Sequence, residues 1–290
     1  MDNLKGEAPH PENSWVRDEV RQLLTKYGLG AQKNLGQHFL IDADALRGIL
    51  RAADLKSDDV VVEVGPGLGV LTRGLVENVK KVFAVEKDEK LAEILKGEFF
   101  SSENLEIVGG DILEVDASRF GEGYKVVANL PYYITSKIIR YFLTSEQPPR
   151  ELVLLVQKEV AERIIAKKGK MSLLSISVHF YGSPSLIDIV PRTSFWPAPK
   201  VDSAILRIVL KDDFVKKIDD HKAFFRLIKA GFSEKRKTLV NALSGGLQME
   251  KGEVEAELNK INIDNKVRAE DLDLDAWEKI YKTFKERIAR

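Results

Sequence analysis

Short apolar runs alternate with amphipathic segments through the middle of the chain. Each run has the length of a strand, and in the segment after it apolar residues recur every three or four positions, as on one face of a helix. This repeated order is typical of a parallel sheet with helices on both faces. The pattern predicts strands over 60–64, 81–85, 105–108, 124–128 and 152–156, and helices over 69–78, 89–99, 136–143 and 159–166.

The two ends of the chain follow different patterns. Helices are predicted over 14–26 and 42–53, the second with Asp42 as its N-cap. Alternating apolar residues within 185–210 predict two last strands, for which an antiparallel direction is one option. Beyond Asp212 the pattern predicts only helices: two within 221–243, joined near 231–233, and a closing one over 275–290. We therefore predict a flexible extension over 1–30, an α/β domain over 31–211 and a small all-α domain over 212–290.

Composition limits the kinds of site that the chain can hold. Of its 290 residues, 44% are hydrophobic and 31% charged, a balance typical of soluble domains. The absence of cysteine excludes disulfides and thiolate metal sites, and the four histidines show no ligand spacing, so we expect no metal. No apolar run approaches the ~20 residues of a membrane span, and no signal peptide is evident. We expect a cytoplasmic protein that does not contact a membrane.

The formal net charge is zero, but the charges are unevenly distributed. Between His221 and Leu243 six basic residues stand against one acid, Glu234. Such a stretch can bind a polyanion even on a neutral protein, because salt screens each charge beyond roughly 10 Å. The alternative is a solvated helix face. The six basic residues are Lys222, Arg226, Lys229, Lys235, Arg236 and Lys237.

A glycine-rich loop, Glu63-Val-Gly-Pro-Gly-Leu-Gly69, ends the strand predicted over 60–64. Its glycines allow a tight turn and a close approach of the backbone to a ligand. Nicotinamide, flavin and S-adenosylmethionine enzymes all use such loops, and the absence of the G-x-G-x-x-G spacing disfavours a pyrophosphate ligand. Glu63, Gly65 and Gly67 are therefore candidate cofactor-binding residues.

The next two strands also end in residues that could bind a ligand. Glu86 follows the second strand, where a carboxylate can accept both ribose hydroxyls of a nucleoside. Asp111 follows the third and can accept a hydrogen bond from an adenine amino group, while Ile112 would flank the ring. Open α/β sheets bind nucleosides at the carboxyl ends of their strands. The three strand ends together predict a nucleoside site.

The fourth strand leads into Asn129-Leu-Pro-Tyr132. An adenine amino nitrogen is a poor nucleophile because its lone pair is delocalised into the ring. The Asn129 side-chain oxygen and the Leu130 carbonyl can accept its hydrogens and favour a pyramidal nitrogen aimed at a methyl group, while Tyr132 can stack on the base. Geometry and desolvation then account for most of the rate, and no strong general base is needed. The alternative is a proline-ended turn with a capping Asn.

With these motifs the chain resembles the ribosomal RNA adenine dimethyltransferases, specifically the bacterial small-subunit (16S) enzymes associated with kasugamycin sensitivity. The resemblance extends from about Lys33 to the C-terminus. It rests on Glu86, Gly110-Asp111 and five longer motifs: 34–40 (NLGQHFL), 63–69 (EVGPGLG), 129–134 (NLPYYI), 156–161 (VQKEVA) and 195–204 (FWPAPKVDSA). It implies a Rossmann-like class I methyltransferase domain that uses S-adenosylmethionine and releases S-adenosylhomocysteine.

The resemblance also implies roles for further residues. The segment matching Gln37–Leu40 lies over the methionine end of the cofactor, which makes His38 and Leu40 implied contacts. Family members often carry Asn at the position of His38. The residue matching Phe195 lies near the target base, so Phe195 is either a second stacking surface or a core aromatic residue.

The implied substrate is a pair of adjacent adenosines in a hairpin loop near the 3′ end of 16S rRNA. Both would be dimethylated within the assembling 30S subunit, by a protein that we expect to act as a monomer. Loop bases are already largely unstacked, which lowers the cost of inserting one into a pocket. The helical domain would then bind the RNA backbone through Arg226, Lys229, Lys235, Arg236 and Lys237.

Three alternatives share parts of this pattern. The large-subunit rRNA adenine methyltransferases of macrolide resistance carry nearly all the motifs, but the 195–204 stretch favours the small-subunit enzyme. A non-enzymatic RNA-binding factor on the same fold would have a damaged cofactor site, whereas Glu63, Glu86, Asp111 and Asn129 are all present. A DNA adenine methyltransferase is disfavoured because no separate groove-reading domain is evident.

Overall fold

The computed structural model describes residues 14–30, 38–234 and 236–288. Within them the strands are β1 (Phe39–Leu40), β2 (Val60–Val64), β3 (Lys81–Glu86), β4 (Leu105–Gly109), β5 (Lys125–Asn129), β6 (Glu151–Gln157), β7 (Gly182–Val190), β8 (Phe195–Trp196) and β9 (Ser203–Leu210). The α-helices are α1 (Trp15–Lys26), α2 (Ala43–Ala53), α3 (Val70–Val76), α4 (Glu89–Glu98), α5 (Thr135–Leu143), α6 (Lys158–Ile164), α7 (Leu173–Tyr181), α8 (His221–Gly231), α9 (Leu239–Leu247), α10 (Lys251–Lys260) and α11 (Leu274–Ile288).

The described chain divides into two compact units. The first extends to Ala161 and resumes over Ser185–Val209, and the second contains Glu162–Pro184 and the chain from Leu210 onward. The sequence-based boundary lies at residue 211, and the second unit also includes 162–184, which the sequence analysis placed in the α/β domain. Residues 162–184 belong to the second unit because Met171, Ile176 and Phe180 are buried in its hydrophobic cluster.

The first unit is built on a seven-stranded sheet of order β4-β3-β2-β5-β6-β9-β7. The pairs β2–β3, β3–β4, β2–β5 and β5–β6 are parallel, and β9 lies antiparallel to β6, with Leu206 opposite Leu154. Nearly all residues of β5 and β6 are buried, which explains why they are continuous Val and Leu runs. Chain order reverses between β2 and β5. The carboxyl ends on either side of that point are where such sheets bind ligands.

Local sequence signals fix where several helices begin. The predicted N-cap Asp42 is confirmed, since its Oδ1 accepts hydrogen bonds from the N–H groups of Asp44 (2.9 Å) and Ala45 (3.2 Å). Asp88 caps α4 in the same way. Residues 1–13 of the predicted flexible extension lie outside the described residues. From its remainder, α1 buries Val16, Val20 and Leu23 in the core of the first unit.

The prediction of two strands within 185–210 was wrong in number, although the antiparallel option is confirmed for β9. The additional strand, β8, has only two residues and pairs with β1 far away in sequence, so no local periodicity could indicate it. The helices α7 and α10 were also missed. α7 is rich in apolar and β-branched residues without a clear stripe, and α10 buries only Val254 and Leu258 among charged neighbours.

The second unit is helical around its own core, apart from the start of β7. Its largest fully buried side chains include Trp277, Tyr281, Phe224 and Phe284. The face of α8 that carries Phe224, Leu227 and Ile228 is buried, as the three-to-four residue spacing predicts. None of the described helices combines the length and the hydropathy that a membrane crossing requires.

Candidate active site

A cavity of about 310 Å³ lies at the carboxyl ends of β2 to β5, in the size range of ligand pockets. Strand ends and the loops that follow them form its walls, together with the segment around β1. The lining residues include His38, Phe39, Leu40, Glu63, Gly65, Gly67, Leu68, Glu86, Lys87, Asp111, Ile112, Asn129, Leu130, Tyr132 and Tyr133. No three His, Asp or Glu side chains in the described ranges are grouped to hold a metal ion.

The glycine-rich loop forms one wall and depends on glycine at residue 67. Gly67 has a φ of +60°, in the left-handed region that residues with a Cβ rarely adopt. Its N–H donates to Oε2 of Glu86 at 3.1 Å. A Cβ on Gly67 would lie 3.6 Å from the Phe39 ring and take space inside the cavity. The loop therefore keeps its backbone close to whatever the cavity binds.

Glu86 is buried although it carries a carboxylate. Oε1 accepts from the N–H of Asp88 at 2.9 Å, and Oε2 accepts from Gly67. Burial raises the pKa of Glu86, and these two N–H groups oppose that rise only in part. Each oxygen has lone-pair capacity left after its backbone hydrogen bond, so Glu86 can still accept hydroxyl donors of a ligand.

Glu63 is a second buried acid, and it is bonded to a neutral donor. The Thr72 hydroxyl donates to Oε2 of Glu63 at 2.6 Å, from the first helix after the glycine-rich loop. Burial raises the pKa of Glu63 to about 8, against this hydrogen bond. The carboxyl at the base of the loop can therefore hold a proton at neutral pH and release it when positive charge approaches.

Asp111 begins the turn after β4. Its Oδ1 accepts from the N–H of Leu113 at 3.0 Å, and its Oδ2 accepts from Nζ of Lys87 at 2.9 Å. The Leu113 N–H and then the Lys87 ammonium lower the pKa of Asp111, so this carboxylate stays charged. Ile112, which follows, is buried and presents an apolar surface to the cavity. An anionic acceptor thus lies next to a flat apolar contact.

The Asn129 side chain is oriented by the backbone across the cavity. Its Nδ2 donates to the carbonyl oxygen of His38 at 3.4 Å, a long hydrogen bond that directs the amide oxygen away from His38. No donor among the described residues is hydrogen-bonded to that oxygen. The N–H of Leu130 donates to the Leu155 carbonyl at 3.2 Å, which ties the turn to β6. Asn129 thus offers an acceptor to the cavity.

Tyr132 is held at both its ring and its hydroxyl. The hydroxyl is 2.6 Å from Oγ of Ser203, at the start of β9. The His38 ring is stacked with the Tyr132 ring, with centroids 5.6 Å apart and planes 28° apart. His38 is fixed in turn by Nδ1, which lies 2.7 Å from the Pro197 carbonyl oxygen. Residues distant in sequence therefore fix one aromatic platform.

The structure brings the predicted residues from the four strand ends into one cavity, together with His38 and Leu40. Phe195 is not among the lining residues: it is 2% exposed and packs in the core cluster, the second of its two alternatives. Gln37 and Lys235 lie outside the described residues. The basic residues Arg226, Lys229, Arg236 and Lys237 are exposed in the second unit, where Arg226 bonds the Ile288 carbonyl and Lys237 pairs with Glu234.

Sequence reasoning missed several residues of the site. Lys87 was not chosen, although it directly follows Glu86. The partners Thr72 and Ser203 carry no motif of their own, and only the fold brings them to Glu63 and Tyr132. Tyr133, which is 62% exposed and lines the cavity, was quoted within a motif but given no role. Its position directly after Tyr132 was the available signal.

Comparison with known proteins identifies the family. The family model described as "Ribosomal RNA adenine dimethylase" matches residues 28–286, nearly the whole chain. The chain belongs to this family. A ribosomal RNA small subunit methyltransferase A from Dehalococcoides mccartyi is 46% identical over 265 residues, which cover 90% of this chain and 91% of that protein. A protein of the same name from Moorella thermoacetica is 41% identical over 275 residues, which cover 90% and 95% of the two chains.

Solved structures of the dimethylase family and its neighbours have the same architecture. A dimethyladenosine transferase from Plasmodium falciparum is similar with a TM-score of 0.76 and 28% identity, over 86% of this chain and 98% of that one. The 23S rRNA methyltransferase ErmE follows with a TM-score of 0.69 and 25% identity, over 85% and 99%. The predicted family, the Rossmann-like class I fold and the enzyme class, an S-adenosylmethionine-dependent rRNA adenine methyltransferase, are thereby confirmed.

Proposed function

We propose that this dimethylase-family protein dimethylates the exocyclic amines of two adjacent adenosines in the 3′-terminal hairpin loop of 16S rRNA, during assembly of the small subunit. The observation that carries the proposal is Asn129 on the cavity wall: its amide nitrogen donates to the His38 carbonyl, and its amide oxygen accepts from no donor among the described residues. The names of the bacterial relatives support the small subunit as substrate. We propose that the protein acts as a monomer, and the substrate implies the cytoplasm.

The residues of the cavity fit S-adenosylmethionine. When bound, that cofactor supplies an electrophilic methyl group. Glu86 is suited to the ribose hydroxyls, since it is buried and keeps acceptor capacity beyond its two backbone hydrogen bonds. Asp111 and Ile112 are suited to the amino group and the face of an adenine. Glu63 can release its proton and provide negative charge at the base of the loop when a cation binds, and His38 and Leu40 close the cavity from the other side.

The chain activates the target amine by geometry. Asn129 and the Leu130 carbonyl would accept its two hydrogens, which favours a pyramidal nitrogen with its lone pair directed into the cavity. The hydrogen bond from Nδ2 to the His38 carbonyl favours the orientation in which the amide oxygen of Asn129, and not its N–H donors, is directed toward the base. Tyr132 would support the face of the base, since its hydroxyl and ring are both held. The proton is lost to solvent after transfer, so a general base is not required.

We propose that the second unit binds the RNA backbone. Lys222, Arg226 and Lys229 are three or four residues apart on α8, opposite its buried face, which supports one shared basic surface. Arg236 and Lys237 follow in the loop before α9. Lysine and arginine side chains can contact phosphates without reading sequence, which suits a role in positioning the substrate.

The test of this function is the Asn129→Ala variant, with Asn78→Ala as a matched control. Asn78 is exposed and donates to the Gly74 carbonyl away from the cavity. We expect Asn129→Ala to lower kcat on the order of 100-fold, as removal of one preorganised hydrogen-bonding group does, while S-adenosylmethionine still binds. Asn78→Ala should retain full turnover. Unchanged turnover in Asn129→Ala would refute the assigned role.

A primer-extension assay distinguishes the two possible substrates, 16S rRNA and 23S rRNA. Primer extension on 16S and 23S rRNA from undermethylated subunits should place the modification on adjacent adenosines of 16S rRNA alone. A modified adenosine in 23S rRNA would instead support the function that the ErmE structure is named for.

A further inference from the structure

Four basic residues of the first unit lie on segments that follow the cavity wall or are hydrogen-bonded near it, and they have no role in the function proposed above. They are Lys137, Lys158, Arg192 and Lys200, and we refer to them together as the basic rim. Lys137, Arg192 and Lys200 are exposed, and Lys158 is partly exposed. None of the four forms an ion pair with a described acid, whereas Lys26, Arg47, Lys56, Lys81, Lys96 and Arg119 of the same unit do.

Hydrogen bonds of the backbone and of neighbouring side chains locate three of these residues beside the Asn129–Tyr132 wall. Lys200 lies on the loop between Pro197 and Ser203, and both of these contact cavity-lining residues, His38 and Tyr132 respectively. The N–H of Arg192 donates to Oδ1 of Asp202 at 3.0 Å, and the N–H of Lys158 donates to the Asp202 carbonyl at 3.0 Å. The backbones of these three residues therefore lie on neighbouring segments near the carboxyl end of β6.

Lys137 lies toward the other end of the same edge. It belongs to the first turn of α5, directly after the cavity-lining segment, and its charge reaches Asp111 after β4, where it adds to the effects of Leu113 and Lys87. In the sheet, β3, β2 and β5 separate β4 from β6, which at about 4.8 Å per strand is roughly 19 Å along the edge. The cavity-lining ends of β2, β3 and β5 lie between Lys137 and the three residues near β6.

We propose that the basic rim binds the RNA phosphates on either side of the adenosine that enters the cavity. This inference deepens the proposed function and rests on it. A base inserted into the cavity leaves its own backbone at the entrance, where unpaired ammonium and guanidinium groups on both sides can contact phosphates. The rim thus positions the target strand on the first unit, in addition to the backbone surface of the second unit.

The test is the double variant Arg192→Ala/Lys200→Ala, with Arg51→Ala/Lys80→Ala as the control. Both pairs remove one exposed arginine and one exposed lysine. The control residues lie at the amino ends of the strands: Arg51 in the last turn of α2, and Lys80 directly before β3. Binding to undermethylated 30S subunits is measured between 50 and 200 mM KCl, together with kcat, the KM for subunits and the Kd for S-adenosylmethionine.

We expect the rim variant to reduce the slope of log K against log salt by up to about 1.4, since each single-strand phosphate contact contributes about 0.7. Its KM for subunits should rise, whereas kcat and cofactor affinity should stay as in the wild type. The control should keep the wild-type slope. An unchanged slope in the rim variant would overturn the proposal. If KM nevertheless rose, the two residues would act through a non-electrostatic contact or a protein contact.

Failure of the proposed function gives a different result. The wild-type protein would then leave the 16S adenosines unmodified in primer extension, while the salt slopes would still report whether the rim binds the particle. If the rim variant keeps the wild-type salt slope while the wild-type protein modifies the 16S adenosines, only the proposal for the basic rim is contradicted.

Discussion

Buried acids have different partners at the amino and carboxyl ends of the strands in the central sheet. At the amino ends of the strands, Asp59 and Glu151 are buried beside Lys125, whose Nζ lies 3.2 Å from the first carboxylate and 3.8 Å from the second. Arg150 also bonds Asp59, and Arg207 bonds Glu151 at 2.6 Å. Burial acts to raise the pKa of Asp59, but the Lys56 N–H and Lys125 outweigh it and the pKa is lowered. Cations of the protein itself therefore neutralise both acids.

At the carboxyl ends, Glu63 and Glu86 are buried and form no ion pair with a cation in the described part of the chain. Their hydrogen-bond partners are the Thr72 hydroxyl and two backbone N–H groups, and burial raises the pKa of both acids. A binding site for a positively charged ligand needs negative charge that the protein has not already neutralised. At the amino ends the protein neutralises its own buried acids, whereas at the carboxyl ends it leaves them available to the proposed cofactor.

Removing the cation shared by the acids at the amino ends should give the largest effect on stability. Lys125→Met leaves Asp59 and Glu151 short of their shared partner, and we expect a loss of about 3–5 kcal/mol in the free energy of unfolding. Urea denaturation at pH 7 measures it. Lys80→Met, exposed at the same ends of the strands, should stay within about 0.5 kcal/mol of the wild type. A loss below 1 kcal/mol for Lys125→Met would show that Lys125 does not stabilise the fold by neutralising Asp59 and Glu151.

Removing the charge of Glu86 should affect binding and leave the fold intact. Glu86→Gln keeps the size of the side chain but weakens hydrogen bonds to a ligand, worth about 1.5–3 kcal/mol when the acceptor is charged. We expect the Kd for S-adenosylmethionine to rise roughly 10- to 100-fold by calorimetry, while Tm falls only by the loss of one backbone hydrogen bond, since Gln cannot accept from both Asp88 and Gly67. Glu89→Gln, exposed three residues later, is the control. Equal affinities in the two variants would contradict the role of Glu86.

The pKa of Glu63 predicts a pH dependence of stability at the carboxyl ends of the strands. Its value is about 8 in the folded protein, against an ordinary 4.5, so the folded state holds a proton that the unfolded state releases between these values. The contribution of Glu63 to stability is therefore present at low pH and is lost as pH rises from about 5 to about 8.

This contribution can be isolated by comparing unfolding free energies of the wild type and Glu63→Gln from pH 5 to pH 8.5 without ligand. The difference between the two proteins should move in favour of the variant as pH rises. Glu77→Gln, exposed at the end of α3, should follow the wild-type curve. Parallel curves for the wild type and Glu63→Gln would rule out the raised pKa.

The smallest expected effect concerns the platform beside Asn129. Ser203→Ala and Tyr132→Phe each remove the same hydrogen bond, and we expect either to reduce kcat about two- to tenfold. The double variant should be no worse than the single variants, because only one bond is lost. Ser101→Ala, exposed after α4, is the control. Multiplicative losses in the double variant would show that the two hydroxyls act separately.

The sequence predicted the strands well because a parallel strand buried on both faces is a continuous apolar run. It predicted the cavity acids because ligands bind at the carboxyl ends of such strands, so Glu63, Glu86 and Asp111 could be chosen from position alone. It could not predict the pairing of charges. Lys125, Asp59 and Glu151 occupy ordinary strand starts, and only the register of β2, β5 and β6 brings them together.

Sequence patterns also could not predict the strand pairing and the packing that support the site. β1 and β8 have two residues each, too few for any periodicity, and their pairing joins segments more than 150 positions apart. Phe195 illustrates the difficulty: the motif around it indicated a functional region, but whether its ring faces the cavity or the core depends on packing that no local pattern encodes.

The pairing of β1 with β8 also sets an order for biosynthesis. Leu40 leaves the ribosome long before its partner Phe195, by roughly 10–30 s at ordinary rates of translation. Until then the His38 ring lacks Pro197 and the Tyr132 hydroxyl lacks Ser203. A nascent chain that has completed β5 carries every acid of the cavity but not the supports of its aromatic wall. The ability to hold a target base is therefore acquired late, after most of the sheet has been synthesised.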